Sequence, residues 1–157
     1  MAVRAIVKHP DPILREKAVK VTKFNANLHK LLDDMAETMY ETGNGVGLAA
    51  PQIGVSKRVV VIDVGDGLIE LVNPEIVETK GEQIGPEGCL SIPNVVGEVK
   101  RANYCRVKAQ DRNGNPVEYE GEAFLARALQ HEVDHLNGVL FIDIAERFLD
   151  PEETEKS

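Results

Sequence analysis

Five consecutive residues, His131-Glu132-Val133-Asp134-His135, have the types and spacing of a metal-binding turn of helix. On an α-helix, residues four apart share a face, so both imidazoles can point at one ion. Glu132 lies about 100° round the helix from His131, where it reaches a water beside the ion rather than the ion itself. A carboxylate so placed can take a proton from that water and pass it to a leaving nitrogen. The bland alternative is a pair of satisfied core histidines, and the surrounding pattern argues against it. Phe124 and Ala128 extend the histidine face, and Leu125, Leu129 and Leu136 form an adjoining apolar stripe. Only Arg127, Gln130, Asp134 and Asn137 remain for a clearly polar face. A helix buried on most sides accommodates two histidines and a glutamate only if they are satisfied.

A catalytic site of this kind takes three protein ligands and leaves one position open. A third histidine six residues after the second would complete one pattern, but Phe141 stands there. Asp143, Glu146 and Asp150 are downstream carboxylates, with little chain left to build another packed helix around them. Upstream, Cys89 sits among turn residues between Gly88 and Leu90, where a thiolate can be aimed. Cys105 alternates with Val107 and Ala109 and reads as a buried small hydrophobe. Cys89 is therefore the better third ligand. Two rival readings use the same helix: a metallopeptidase with an acidic third ligand, and a closed structural site of Cys89, Cys105, His131 and His135.

The elements that must hold these residues follow from periodicity. Leu28, Leu31, Leu32, Met35 and Met39 predict a helix from about Asn25 to Thr42, capped by Asn25 and ended by Gly43. Gly43 to Gly54 reads as a glycine-rich loop, Arg58 to Val64 as a buried strand, and Leu68 to Val72 as its hairpin partner. Ile76 to Thr79 is a further short extended piece. Gly81 to Pro93 reads as loop, and Val99 to Gln110 alternates with period two. Asn113-Gly114 is a hairpin signal returning the chain through Val117 and Tyr119. The metal-binding helix runs from about Glu122 to Asn137, stopped by Gly138, before a strand-like Val139-Leu140-Phe141-Ile142-Asp143. The fold expected is α+β: mostly antiparallel strands packed around a central C-terminal metal-binding helix, with a second helix near the N-terminus. Residues 1–157 form one domain in this reading, with 147–157 a frayed tail.

Composition narrows the function further. The chain has 157 residues, 43% hydrophobic and 28% charged, with a formal charge of -8 from 18 Lys and Arg against 26 Asp and Glu. That balance opposes general binding to a phosphate backbone, so DNA is not an expected partner. Any contact with nucleic acid would need a local basic patch. Two cysteines make no disulfide framework. The opening residues hold no signal-like apolar run and no stretch is long enough to span a membrane, so a soluble, cytoplasmic protein is expected.

With Glu87-Gly88-Cys89-Leu90-Ser91 joined to Gln130-His131-Glu132-Val133-Asp134-His135, the sequence resembles the peptide deformylases. The family's third signature stands as Gly45-Val46-Gly47-Leu48-Ala49-Ala50-Pro51-Gln52. The resemblance implies a bacterial-type enzyme that removes the N-formyl group from the initiator methionine of nascent chains and releases formate. It implies ferrous iron as cofactor, with zinc, nickel or cobalt able to substitute. Cys89, His131 and His135 match the metal ligands and Glu132 the general acid/base. The Gln52 side chain and the Leu90 backbone N–H match the donors to the developing oxyanion. The glycine motif follows a helix and runs into Pro51, unlike a dinucleotide-binding turn, and suits close approach of a peptide backbone. Gly45 is expected to bind substrate with the other loop glycines, and Val46 and Gly47 to border the methionine side chain, with Phe124, Ala128 and, despite its place on the polar face of the wheel, Arg127 as further walls. Asn94 to Glu98 replaces an Arg-containing segment of some members, so no substrate contacts are carried over there. Arg101 has the charge to pair with Glu87 and hold the cysteine loop. Longer members carry a C-terminal helix implicated in ribosome docking; here the tail is short and acidic, so docking through it is not expected.

Overall fold

The computed structural model of the chain describes residues 2–42 and 46–149. In chain order it contains α1 (Ala26–Glu41), β1 (Gly47–Ala49), β2 (Val59–Ile62), β3 (Ile69–Lys80), β4 (Gln83–Cys89), β5 (Ile92–Arg101), β6 (Tyr104–Gln110), β7 (Pro116–Glu122), α2 (Ala123–Leu136), α3 (Phe141–Ile144) and β8 (Arg147–Leu149). All named strand pairs are antiparallel, in a five-stranded sheet ordered β1-β2-β3-β6-β7 and a three-stranded sheet ordered β4-β5-β8. The α+β expectation holds.

The apolar run of β2 explains how the larger sheet positions the helices. Val59 and Val61 pack with Leu28, Leu31, Leu32, Met35 and Met39 of α1. Val60 and Ile62 point the other way and pack with Ala126, Ala128, Leu129 and Leu136 of α2. A strand covered on both faces reads as continuous hydrophobic sequence rather than as an alternation. Asn25 caps α1 as expected, its side chain accepting from Leu28 N at 3.2 Å. The proposed stop at Gly43 lies outside the described residues.

Several expected boundaries shift. Residues 81–93 are not a loop: β4 and β5 form a hairpin through them, turning at Leu90-Ser91. The inward positions of β4 are Gln83, Gly85, Glu87 and Cys89, so its period-two pattern carries polar groups and glycine instead of hydrophobes. Pro86 is tolerated because β4 is a sheet edge. The pieces on either side of Asn73-Pro74 are one strand, β3, with a register shift against β6 between Val72 and Glu75. Asn73 takes a φ of 53° there, and its side chain bonds Val21 N, Val21 O and Gln110 Oε1. The glycine-rich loop contains β1 and a 3₁₀ turn at Ala50–Ile53. The segment 139–143 is not a strand: Asp143 accepts from Leu140 N and closes the single turn α3, which buries Leu140 and Phe141 beneath the smaller sheet. Arg147–Leu149 is not frayed but pairs with β5 as β8; residues 150–157 lie outside the described residues.

The C-terminal end of α2 is held firmly. Arg58 donates to Leu136 O at 2.9 Å, a carbonyl that the helix leaves open, and to the Asn137 side-chain Oδ1 at 3.0 Å. Gly138 follows with φ 74°, and a Cβ there would lie 2.3 Å from the Arg15 carbonyl oxygen. Gly138→Ala is therefore expected to destabilise the fold by at least about 1–2 kcal/mol from the left-handed backbone alone, with the backbone clash added. Urea unfolding of the two proteins checks this.

Candidate metal centre and active site

The hairpin β4–β5 and helix α2 bring three donors together. Cys89 ends β4, and His131 and His135 stand one turn apart on α2. Their ligating atoms all lie within 4.8 Å of one another, with Cys89 Sγ 3.3 Å from His135 Nε2. The Cys89–His135 spacing is near the edges, about 3.3–3.6 Å, of a tetrahedron built on ordinary zinc–sulfur and zinc–nitrogen bond lengths. One thiolate and two imidazoles form a donor set for a first-row divalent metal, and the chain has a metal-binding site here.

Second contacts orient the ligands. Glu87 Oε1 lies 2.8 Å from His131 Nδ1. A carboxylate oxygen can only accept, so Nδ1 carries the hydrogen and Nε2 is left to face the ion. Glu87 also receives Arg101 Nε and Nη2, each at 2.9 Å, and Arg127 Nη1. Arg101 reaches on to Asp134. Burial alone would raise the Glu87 pKa, but the hydrogen bonds from Arg101 and His131 hold it far below the usual carboxylate range. The expected Arg101–Glu87 pair is thus present, and larger than expected. Removing one partner from a buried network of this kind typically costs about 3–5 kcal/mol.

The histidines differ in their electrostatics. Burial would lower the His131 pKa, but hydrogen bonds to Cys89 and Glu87 and the adjacent negative charges draw it upward. His135 is pushed well down by burial and then by the charges of His131 and Arg101, which favours its neutral ring. Glu132 is 5% exposed, and its Oε1 has no hydrogen-bond partner. Burial, foremost, pushes its pKa up to about 7.

Gln52 is 1% exposed on the 3₁₀ turn. Ala49 N donates to its Oε1 at 3.0 Å, which turns Nε2 toward Cys89 Sγ at 3.4 Å and Ser91 Oγ at 3.3 Å. Leu90, Val46, Gly47, Phe124 and Ala128 line a cavity of about 400 Å³ that also exposes His131, Glu132 and Cys89. Phe124 stands at 52% exposure. Gly45 lies outside the described residues. Asn94, Val95 and Val96 also line the cavity, and no motif pointed to them. Arg127 corrects the helical wheel: it is not on a polar surface but 6% exposed, its guanidinium drawn in by Glu87. Gly85 leaves room for it, since a Cβ there would lie 3.1 Å from Nη2.

The rival ligand sets do not assemble among the described residues. Asp143 pairs with Arg15 and caps α3. Cys105 is fully buried with Val107, Ala109, Ala126 and Leu129, outside the metal group. Burial pushes its thiol pKa up to about 11, so it is inert. Cys105→Ser is expected to keep metal content and cost only about 1–3 kcal/mol for burying a hydroxyl, which metal analysis and thermal unfolding will read.

Comparison with known proteins agrees with this geometry. The polypeptide deformylase family model matches residues 3–149. A peptide deformylase of Thermoanaerobacter pseudethanolicus is 62% identical over 156 residues, covering 99% of this chain and 98% of that protein. Peptide deformylase 1 of Bacillus anthracis is 54% identical over 157 residues, covering 99% and 100%. Among solved structures, the Thermotoga maritima peptide deformylase superposes with a TM-score of 0.90 at 47% identity, covering 93% of this chain and 99% of that one. A peptide deformylase of Synechococcus elongatus in complex with actinonin gives 0.87 at 39% identity, covering 98% and 82%. A match of this extent, on a chain that assembles cysteine and two histidines beside a buried glutamate, places the protein in the polypeptide deformylase family of enzymes.

Proposed function

We propose that this enzyme removes the N-formyl group from the N-terminal formylmethionine of newly made polypeptides, releasing formate and a free amine. The observation that carries the reading is the convergence of Cys89, His131 and His135 at a cavity lined by Cys89, His131 and Glu132. These three side chains would hold a divalent ion, assigned here as ferrous iron, with zinc, nickel or cobalt accepted by the same donors. When bound, the ion supplies Lewis acidity, polarising a carbonyl oxygen and lowering the pKa of a water molecule.

The chain's own residues do the rest. Glu132 takes the proton of the attacking water and returns it to the amide nitrogen as the carbon–nitrogen bond breaks, since an unprotonated amine leaves poorly. The Gln52 Nε2 hydrogens and the Leu90 N–H donate to the formyl oxygen as negative charge grows there. Gln52 is suited to this because Ala49 N already fixes its amide. Val46, Phe124 and Ala128 give the unbranched methionine side chain an apolar wall, and Gly45 and Gly47 let the substrate backbone approach. No helix among the described residues is long and apolar enough to cross a membrane, and we place the enzyme in the cytoplasm, where formylated chains are made.

The test is formate release from a formyl-Met peptide by anaerobically prepared, metal-analysed protein. One formate per new N-terminal amine, with no internal cleavage, is the expected result. Cleavage of internal peptide bonds, or no formate from fully metallated protein, would overturn the reading.

A further inference from the structure

Gly47 stands in β1 opposite Ile62, in backbone that any residue could adopt. No left-handed φ requires glycine there. The requirement lies in the space beside it: a Cβ on residue 47 would sit 2.7 Å from Glu132 Oε2 and 3.0 Å from both Cδ and Cγ. The Glu132 side chain fills the volume that any side chain at 47 would need. Its Oε1 is buried, and no protein group among the described residues donates to it.

We propose that Gly47 is a positioning residue, whose missing side chain determines where the Glu132 carboxylate rests beside Cys89, His131 and His135. The proposal rests on the reading of Glu132 as the proton carrier. It gives Gly47 a role separate from bordering the substrate, and the two roles have different kinetic signatures. Clearance for a substrate backbone governs KM. Clearance for the base governs kcat.

A methyl group at 47 must be accommodated by the neighbour that yields most easily. The β1 backbone is locked on β2 in register from Gly47 to Ala49, whereas the end of Glu132 is a rotatable side chain. The carboxylate therefore turns away while the fold and the three metal donors stay in place. A displacement of about 1 Å in a reacting group can cost on the order of 10²-fold in rate.

Metal-loaded Gly47→Ala is expected to match wild-type metal content and thermal midpoint and to lose roughly 10–100-fold in kcat, with any rise in KM for a formyl-Met peptide reporting the substrate clearance separately. Glu132→Asp withdraws the carboxylate from residue 47 by one methylene. Adding Gly47→Ala to it is expected to cost far less than adding it to wild type, a coupling that a double-mutant cycle measures. A raised KM with kcat held, full additivity in the cycle, or a Gly47→Ala chain that does not fold would each overturn the proposal. The last would mean that backbone, not carboxylate, has to give. Glu132→Gln assayed in parallel separates the two levels. Full turnover by Glu132→Gln defeats the underlying reading, whereas a dead Glu132→Gln beside a fully active Gly47→Ala defeats this proposal alone.

Discussion

Glu132→Gln is expected to lose about 10²–10⁴-fold in kcat, the usual contribution of a positioned general acid–base, while binding metal as wild type does. The substitution is chosen because it changes so little else. Glutamine has the length and shape of glutamate, so it keeps the contact with Gly47 and the packing of a position only 5% exposed. What it cannot do is accept a proton from water at neutral pH. A carboxylate has two tasks in the proposed reaction, taking the water proton and protonating the departing nitrogen, and the amide fails at both. The metal donors belong to other residues, so metal content isolates proton transfer from metal binding. Near wild-type kcat in the fully metallated variant would remove Glu132 from the chemistry. Loss of metal alongside loss of rate would instead make it part of the ion's environment.

How far the site could be read in advance depended on whether its residues obeyed a period. His131, Glu132 and His135 were legible because helical geometry turns a spacing of four into a shared face. Cys89 was legible as the better thiol because Cys105 alternates with hydrophobes and is indeed buried among them. Glu87 was recognised as a partner of Arg101, yet its bond to His131 was not foreseen. On a strand, Glu87 and Cys89 share a face, so period two could have found it. That signal was hidden because the inward side of β4 carries Gln83, Gly85, Glu87 and Cys89, which imitates a loop. Arg127 failed for the complementary reason. Its charge suggests solvent, but a buried carboxylate on a strand distant in sequence draws it inward, a tertiary effect that no helical wheel contains. Residues 139–143 misled because an apolar run satisfies a strand or a buried turn equally, and the Asp143 cap that decides the matter acts through one side-chain bond. The cavity wall from Asn94 to Val96 depends on the β4–β5 hairpin, whose path the glycine and proline content of residues 81–93 obscured.

Cys89→Ala is expected to abolish both metal binding and turnover, and the loss of metal is the more informative result. Loss of an outer partner such as the carboxylate behind a ligating histidine typically costs 10–100-fold in metal affinity; loss of a ligand itself should exceed that. Neither rival ligand offers itself to the remaining pair, His131 and His135, since Cys105 faces the core and Asp143 is engaged by Arg15. Two readouts separate the direct effect from damage to the fold. Metal per chain after gel filtration should fall well below stoichiometric. The rise in Tm on adding metal to stripped wild-type protein, which follows from binding to the folded state alone, should vanish in the variant. The apo forms should unfold at similar temperatures, because Cys89 is only partly buried at the fringe of its apolar cluster. If Cys89→Ala retained stoichiometric metal, an acidic third ligand would have to be present, and the metallopeptidase reading would gain what the deformylase chemistry lost.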